Sequence, residues 1–361
     1  MAFEIDFLPV GVGTRSGDAI CIRYANASGS FSIHVVDGGY SETGPEIVKH
    51  INENYNYPSF IDNVVLTHPD SDHVSGLFNV LESFSVGTLW MNRPWLHASE
   101  IIHRFHGNWT TEGLTSYLRK QFSTLVELEE LAISKGTIVK SPFQGSNIGP
   151  FVVLAPSRTR YLDLLVDLPN TPAEVKSKKG SFFDTLAKSL EEAKIAIANY
   201  ISETWYGETL SEYPEPTGPS NESSVVQFLY ADNEHILLTG DVGPGGLTEA
   251  RDYYESSLYY ASKMNLMQVP HHGSRRNVTP FVLSRWLGEV QQQGQAQRGY
   301  AVCSAAKDDL DHPKAKVENA FLRRGYPVYT TNGQLLAYSR NMPSRGYGAA
   351  TPAPFRSRVE E

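Results

Sequence analysis

The chain has 361 residues, of which 40% are hydrophobic and 11% aromatic, and it carries a formal net charge of -9. It is long enough for one large globular domain, and it has no apolar run of about 18 residues and no basic, signal-like start, so we expect a soluble, cytoplasmic protein without a membrane span. The negative net charge argues against a surface that is basic throughout and binds duplex nucleic acid non-specifically, although it allows a local basic cleft.

Short strands separated by turns dominate the N-terminal part of the chain. Apolar runs that are typical of strands lie at Phe3 to Pro9, Ala19 to Tyr24, Phe31 to Val36 and Val64 to Leu66. Between the last two runs, the spacing of Ile47, Val48 and Ile51 predicts an amphipathic helix from Pro45 to Tyr55. Strands and helices alternate here, which indicates an α/β fold class.

The region 97–220 has a different character. It contains long helical patterns at Glu112 to Lys135 and Ser181 to Ile201, joined by polar connections that include prolines. We interpret it as a largely helical insertion, apart from the apolar run Phe151 to Leu154, which we expect in the main sheet. An insertion of this length is either a lid over an active site or a surface for a protein partner.

Strands resume after the insertion, so the second half of the chain mirrors the first. The predicted strands lie at Ser224 to Tyr230, His235 to Thr239, Leu266 to Val269 and near Tyr300, with a helix from Pro280 to Gln291. The pattern fits two strand-rich halves packed face to face with helices outside, all within residues 1–340. Residues 341–361 are rich in proline, and we expect a flexible tail. Cys21 and Cys303 lie in apolar runs and are expected to be buried thiols.

A dense group of polar residues follows the apolar run Val64 to Leu66. Within six residues the chain offers four potential metal ligands, which are His68, Asp70, Asp72 and His73. Imidazole nitrogen and carboxylate oxygen are ligands of Zn²⁺ and Mn²⁺ sites, and a tight turn lets alternate side chains face two ions. A helix N-terminus needs only one capping aspartate, so capping alone does not explain the group.

Three further groups recur at the ends of apolar strands. They are Asp241 in a Thr-Gly-Asp turn, the adjacent pair His271 and His272, and His312 before a proline. Taken alone, a Thr-Gly-Asp turn or a histidine before proline is common in structural roles. Together with the first group they supply enough ligands for two divalent ions about 3.5–4 Å apart, the arrangement of two-metal hydrolases.

These motifs resemble those of the metallo-β-lactamase superfamily, and most of all the soluble domain of ComEC-type competence (DNA-uptake) proteins. The matching segments are Thr67 to His73, Leu237 to Asp241 and Val269 to Ser274, with further likeness at Asn221 to Ser224 and from His312 to Tyr338. The resemblance implies an αββα sandwich that carries a helical insertion. It also implies a metal-dependent hydrolase that binds two divalent ions, Zn or Mn.

Two departures from the superfamily pattern matter. Asp70 replaces the second histidine of the general run, which makes the site richer in oxygen and favours Mn²⁺ or mixed occupancy over strict Zn²⁺. The middle histidine, expected before the Thr-Gly-Asp turn, has no clear counterpart; Asn221 lies nearest its place, and the histidines of the insertion are not candidates. The transmembrane channel of the competence proteins has no counterpart in this sequence. The resemblance therefore implies the chemistry of their soluble domain but not DNA transport.

The resemblance also implies roles for individual residues. His68 and Asp70 would hold one ion, Asp72, His73 and His312 the other, and Asp241 would bridge them, with His271 or His272 completing the set. Asp72 would also orient the attacking water, and the other histidine of the pair would contact or protonate the substrate. Asp37, after a strand, is a candidate to fix a ligand imidazole, or is simply a turn residue. The predicted substrate-binding residues are Asn221, Arg275 and Arg276, with Lys314 and Lys316 as candidates comparable to the two arginines.

Three functions remain open at this point. The first is a phosphodiesterase or nuclease acting on nucleic acid, and the second is a hydrolase of a small phosphoester, cyclic nucleotide or lactone. The third is an interaction protein whose helical insertion binds a protein partner. A basic groove at the mouth of the site would favour nucleic acid, whereas a closed acidic pocket would favour a small molecule.

Overall fold

A computed structural model of the chain describes residues 1–11, 13–172, 200–257 and 263–361. Its strands are β1 (Phe3–Phe7), β2 (Ile20–Ala25), β3 (Phe31–Val36), β4 (Phe60–Val65), β5 (Ser85–Trp90), β6 (Ile138–Lys140), β7 (Asn147–Ile148), β8 (Phe151–Ala155), β9 (Tyr200–Ser202), β10 (Val226–Ala231), β11 (Glu234–Leu238), β12 (Leu266–Gln268), β13 (Tyr300–Cys303), β14 (Val328–Thr330), β15 (Leu336–Arg340) and β16 (Arg358–Glu360). Its α-helices are α1 (Gly44–Asn54), α2 (Ser71–Val74), α3 (Leu77–Ser83), α4 (Ala98–Ile101), α5 (Thr111–Gln121), α6 (Ser123–Ser134), α7 (Arg158–Asp167), α8 (Pro219–Glu222), α9 (Pro244–Ser257), α10 (Pro280–Leu287) and α11 (Ala315–Arg323). Short 3-10 helices lie at Ser41–Thr43, Pro94–His97, Ile102–Arg104 and Pro270–Gly273.

Two seven-stranded sheets organise the described part of the chain. The first has the order β15-β1-β2-β3-β4-β5-β6, and the second has the order β14-β13-β12-β11-β10-β8-β7. Strands β3 to β6 run parallel in the first sheet, and β11 to β14 run parallel in the second. Parallel strands end at the same edge of a sheet. The segments that follow β4, β11 and β12 therefore each leave their sheet at the edge where its parallel strands end.

The two sheets pack face to face, with helices on both outer faces. Side chains such as Phe3, Phe7 and Phe151 fill the layer between the sheets. Helices α1, α3, α5, α6 and α7 cover the first sheet, and α9, α10 and α11 cover the second. This arrangement confirms the predicted α/β class with two strand-rich halves and helices outside.

The helical part of the predicted insertion packs as part of the molecule's main helical layer. Helices α5, α6 and α7 contribute Leu118, Leu128 and Leu165 to the same apolar core as α1 and α3. The single helical pattern predicted from Glu112 to Lys135 is two helices, because the chain turns at Phe122. Of the pattern predicted from Ser181 to Ile201, residues 181–199 lie outside the described residues, and Tyr200 and Ile201 belong to β9.

The segment 341–361 differs from the flexible tail that its composition predicts. Arg345 forms ion pairs with the buried carboxylates of Glu4 and Asp6 on β1. Further along, the backbone N–H of Ala353 donates to Val328 O at 2.8 Å, and β16 pairs with β9. Prolines stop this segment from forming a long regular element, but they leave side chains and backbone groups free to anchor it.

Two other expectations can be compared with the structure. Cys21 and Cys303 are free and buried, as predicted. In the part of the chain that is described, no helix combines the length and the apolar character that crossing a membrane requires.

A buried glutamate on α11 should make stability depend on pH. Glu318 is 4% exposed, and burial raises its pKa from 4.5 to about 7 in spite of Arg356 nearby. The folded protein therefore holds this proton more tightly than the unfolded chain, and stability falls as pH rises through about 7. We expect Glu318→Gln to raise the melting temperature at pH 8 and to change it much less at pH 5.

Thermal unfolding at the two pH values checks this prediction. Glu46→Gln is the matched control, because Glu46 is an exposed glutamate on another helix, α1. A Glu318→Gln protein that melts lower than the wild type at pH 8 would contradict the expected effect of burial.

Candidate metal centre

The predicted ligands converge at the ends of strands from both sheets. β4 leads through Leu66 and Thr67 to His68, β11 leads to Asp241, and β12 leads to the pair His271 and His272. The run from His68 to Val74 enters α2 at Ser71, which keeps its four potential ligands close together in the chain. The two sheets therefore bring segments that are distant in sequence to one place.

The carboxylate of Asp241 lies at the centre of four imidazole rings. Its Oδ2 atom is 3.4 Å from Nε2 of His73, 3.7 Å from Nε2 of His271, 3.8 Å from Nε2 of His272 and 3.9 Å from Nε2 of His68. Asp241 is 2% exposed, so this charge is almost completely removed from water. A carboxylate with this environment is suited to bridge two cations.

Two further carboxylates divide the imidazoles into two groups. Asp72 Oδ2 lies 3.7 Å from His73 Nε2 and 3.8 Å from His272 Nε2. Ligand atoms of these three residues and of Asp241 lie within 4.8 Å of one another. On the other side of Asp241, Asp70 Oδ2 lies 3.5 Å from His68 Nε2.

The hydrogen bonds of two rings fix the tautomer that metal binding requires. His73 Nδ1 lies 2.7 Å from Asp37 Oδ2, and His272 Nδ1 lies 2.9 Å from the backbone oxygen of Ser304. A carboxylate and a carbonyl only accept, so each Nδ1 carries the proton and donates it. Nε2 of both rings therefore keeps its lone pair and faces Asp241.

The same argument holds for a third ring. Thr67 Oγ1 donates to Asp37 Oδ2 at 2.7 Å, which leaves its lone pairs to accept from His68 Nδ1 at 3.1 Å. At the fourth ring, His271 Nδ1 lies 3.1 Å from the acceptor Asn277 Oδ1 and 3.0 Å from the donor Asn221 Nδ2, so these two contacts favour opposite tautomers. Three of the four imidazoles thus offer an unprotonated Nε2 to the centre.

Divalent metal ions fit this set of residues. Nε2 of His68, His73 and His272 and Oδ1 of Asp241 are buried and have no hydrogen-bond partner. Unsatisfied buried polar atoms are costly, and here they converge on one point. Imidazole nitrogen together with carboxylate oxygen is the donor set of Zn²⁺ and Mn²⁺ sites.

The charges at the centre also favour cations. Burial opposes ionisation of Asp70 and Asp241, but the neighbouring imidazoles outweigh it, so the pKa of Asp70 falls to about 2 and that of Asp241 falls well below its usual value. Burial likewise opposes protonation of His272, yet Asp241 and Asp72 raise its pKa to about 9. The carboxylates attract positive charge so strongly that protons compete for the sites that metal ions would fill.

An unusual backbone conformation lets two adjacent histidines face the same point. His271 has φ 47° and His272 has φ 53°, which places both in the left-handed region that non-glycine residues rarely adopt. Gly273 follows at φ +83°, and a Cβ there would lie 2.4 Å from Cβ of Pro313. Strain of this kind persists where the surrounding structure supports it, and it is common at functional sites.

His312 does not join the ligand groups, which corrects the expectation that it is held with Asp72 and His73. Its ring is stacked 6.3 Å from that of His271, and its Nδ1 lies 3.4 Å from Asp309 Oδ2. His272 occupies the place beside Asp72 and His73 that was expected for His312. The reason is the left-handed turn, which brings both histidines of the pair to Asp241.

The predicted substrate-binding residues have different surroundings. Asn221 Nδ2 lies 3.0 Å from His271 Nδ1, so Asn221 supports a candidate ligand and does not itself replace the missing middle histidine. Arg276 is paired with Glu215, whereas Arg275 is exposed and forms no salt bridge within the described residues.

Several residues that support the centre were not singled out from the sequence. Asp18 is 1% exposed, and its Oδ2 accepts from Gln268 Nε2 at 3.0 Å. Ser220 Oγ donates to Asp70 Oδ1 at 2.6 Å, and Asn277 contacts His271 as described above. A usable signal existed for Asn277, which follows the His-His-Gly-Ser segment by three residues.

A cavity of about 390 Å³ opens beside Asp70 and is walled by the helical region. The residues lining it are Pro69, Asp70, Gln121, Phe122, Ser123, Thr124, Leu125, Leu168, Pro169, Asn170, Gly218, Pro219, Ser220 and Asn221. Among these described residues there is one acid and neither lysine nor arginine. Described residues of the region 97–220 therefore contribute directly to the surroundings of the candidate metal centre.

The comparisons with known proteins include a match to a family model. The family model described as the metallo-beta-lactamase superfamily matches residues 28–106, which include the run from His68 to His73. No curated protein matches the chain significantly.

Similar solved structures include a long form RNase Z from yeast, at 11% identity over 84% of this chain and 37% of that chain, with a TM-score of 0.36. A subclass B3 metallo-beta-lactamase from a soil metagenome library, MEM-A1, is 10% identical over 78% of this chain and 85% of that chain, with a TM-score of 0.31. The hydrolase AbOPH, of the beta lactamase superfamily, is 12% identical over 62% of this chain and 56% of that chain, with a TM-score of 0.29.

The family match covers the first predicted ligand group, and the two packed sheets with outer helices have the architecture expected of that family. Residues 28–106 of the chain match the model of the metallo-beta-lactamase superfamily.

Proposed function

We propose that this protein is a phosphodiesterase that uses two divalent metal ions, Zn or Mn, and that its substrate is nucleic acid. One observation carries the proposal. The Asp241 carboxylate lies within 3.9 Å of Nε2 atoms from four imidazoles, and those of His68, His73 and His272 are buried without a hydrogen-bond partner. Two cations that share a carboxylate form the arrangement of enzymes that hydrolyse phosphoesters.

The candidate ligands divide between the two ions. His68, Asp70 and His271 would hold one ion, and Asp72, His73 and His272 would hold the other, with Asp241 shared. When bound, the ions supply a water that is deprotonated near neutral pH and neutralise charge on the substrate. We assign Asp72 the further role of orienting that water, because its side chain remains 23% exposed beside the ligands.

The assignment of both His271 and His272 as ligands leaves the proton-donor role to another group. His312 is the candidate, because its ring lies beside His271, is 28% exposed and faces the carboxylate of Asp309. An imidazole at the mouth can contact the substrate or protonate a leaving oxygen.

A neutral cavity supports a second candidate function. The cavity of about 390 Å³ beside Asp70 has no basic residue among its described lining residues, so it suits an uncharged portion of a small substrate. A small phosphoester, a cyclic nucleotide or a lactone would fit that chemistry. Under this alternative the helical region limits substrate size as a lid does. A partner-binding role for the same region remains a separate hypothesis.

Hydrolysis assays with defined metals test the proposal. Purified protein is incubated with labelled single- and double-stranded DNA and RNA, and separately with bis(p-nitrophenyl) phosphate and a lactone, with Mn²⁺ or Zn²⁺ added or chelated. We expect metal-dependent cleavage of the phosphodiesters, and its loss in the Asp70→Ala, His73→Ala variant, which removes one ligand from each ion.

The matched control is the variant Asp232→Ala, His103→Ala, which changes the same residue types at exposed positions away from the centre. Cleavage of the lactone alone would favour the second function. Absence of any cleavage by protein that holds two metal ions per chain would overturn the phosphodiesterase proposal.

A further inference from the structure

A second cavity, of about 370 Å³, lies next to the turn that carries His271 and His272. It is lined by Ser211, Tyr213, Pro214, Glu215, Arg275, Arg276, Lys316 and Glu361. Two contacts tie its walls to the metal centre. Lys314 N–H donates to Gly273 O at 3.0 Å, and Gly273 packs directly on Pro313. Arg275 and Lys316 therefore belong to two chain segments that meet beside the ligands.

The basic residues of this cavity are not all neutralised. Arg276 pairs with Glu215, but neither Arg275 nor Lys316 forms a salt bridge or hydrogen bond with the described residues. Glu361 is the other acidic residue of the lining, so the lining itself has three basic and two acidic side chains. Outside the lining, Glu360 and Glu203 also act on the charge of Lys316.

Lys316 is the most informative residue of the cavity. The residue is 6% exposed, and among the described residues no group accepts a hydrogen bond from its ammonium. Burial, followed by repulsion from Arg275, lowers its pKa, whereas Glu360, Glu203 and Glu361 act in the opposite direction. An ammonium that lies beside a second cation and has no ion-pair partner can bind a phosphate.

An aromatic side chain stands at the same cavity. Tyr213 is 94% exposed, and its backbone N–H donates to Ser211 Oγ at 3.0 Å, which gives the loop a local turn. Proteins bind single-stranded nucleic acid with cationic groups along the phosphates and with aromatic rings on which bases stack.

We propose that Lys316 and Arg275 bind a phosphate of a single-stranded oligonucleotide, adjacent to the scissile phosphodiester, and that Tyr213 stacks on a base of the same strand. This inference rests on the proposed phosphodiesterase function and adds a substrate class to it. The subsite is separate from the neutral cavity at Asp70, which carries no comparable group of cations.

Binding measurements test the phosphate contact. Fluorescence anisotropy with a labelled oligothymidylate of about eight nucleotides is read on the full chain, as purified and after EDTA treatment, so that binding is seen without cleavage. We expect Lys316→Met to weaken binding about tenfold and to reduce the slope of log affinity against log salt by roughly 0.7, the value for one released counterion on a single strand.

Lys49→Met is the matched control, because it removes an exposed lysine on α1. If Lys316→Met melts at or above the wild-type temperature, the result supports the view that the Lys316 ammonium has no partner in the free protein. A lower melting temperature, combined with unchanged binding and an unchanged salt slope, would show that Lys316 is structural and would overturn the proposal.

A second arm tests Tyr213. Tyr213→Ala should weaken binding of the oligothymidylate severalfold and leave binding of an abasic strand of equal length unchanged, because only the base is stacked. Equal losses on both strands would contradict the stacking role.

The outcomes for the subsite and for the proposed function can be told apart. Wild-type protein that binds the strand in a Lys316-dependent way but cleaves no phosphodiester would retain the subsite and remove the enzymatic proposal. If the wild-type protein cleaves the strand and Lys316→Met binds the strand as tightly as the wild type, the enzymatic proposal is retained and the subsite is removed.

Discussion

Replacing Asp241 with asparagine should abolish metal-dependent hydrolysis and reduce the bound metal to one ion or none per chain. The Oδ2 atom of this carboxylate lies within 3.9 Å of four imidazole Nε2 atoms, which belong to both proposed ligand groups. Asparagine has the same shape, so packing is retained while the bridging charge is lost. Removing a residue that only orients a ligand costs about 10–100-fold, so loss of the shared ligand should cost at least about a hundredfold in kcat/KM.

Metal content by mass spectrometry and steady-state kinetics on a phosphodiester check this result together. Asp252→Asn is the control, because it makes the same substitution at a carboxylate of α9 that pairs with Arg285. An Asp241→Asn protein that holds two ions and retains full activity would show that the two ligand groups do not share this carboxylate.

Periodicity predicted the elements well where local pattern and tertiary packing agree. The alternating apolar residues of β2 and β3 and the helical spacing of α1 each lead to the observed element. Helix α9 was not predicted, because its sequence starts with Pro244 and two glycines, which locally favour a turn. It forms because Leu247, Ala250 and Tyr254 are buried against the second sheet, a tertiary effect that the local sequence does not display.

Most candidate ligands could be named from the sequence because metal sites need particular side chains at strand ends. What the sequence could not provide was the direction of each side chain. The resemblance implied one ligand from the pair His271 and His272, and in extended chain these two side chains would point to opposite sides. Both occupy the left-handed region, which depends on packing around Gly273, and both reach Asp241. The same fact explains why His312 was wrongly grouped with Asp72 and His73.

Replacing Asp37 with asparagine should lower metal affinity without removing a ligand. Asp37 Oδ1 accepts from Thr67 N–H at 2.8 Å, and its Oδ2 accepts from Thr67 Oγ1 and His73 Nδ1, each at 2.7 Å. Asparagine has an NH₂ group in place of one carboxylate oxygen, and this group cannot accept a hydrogen bond. The protein therefore loses either the bond from Thr67 N–H, just after β4, or the bonds from Thr67 Oγ1 and His73 Nδ1, the second of which fixes the tautomer of His73. Asp37 has φ 58°, which asparagine tolerates, so the backbone is expected to remain intact.

We expect the dissociation constant for the metal to rise about 10–100-fold, which is the usual effect of losing a group that orients a ligand. Competition with a chelating dye measures it. Activity of Asp37→Asn should recover when metal is added in excess, whereas activity of Asp241→Asn should not, because only the latter lacks a bridging ligand. Asp232→Asn makes the same change in the same left-handed conformation at an exposed turn and should leave affinity unchanged. If Asp37→Asn binds metal as tightly as the wild type, Thr67 and the surrounding packing orient His73 without this carboxylate.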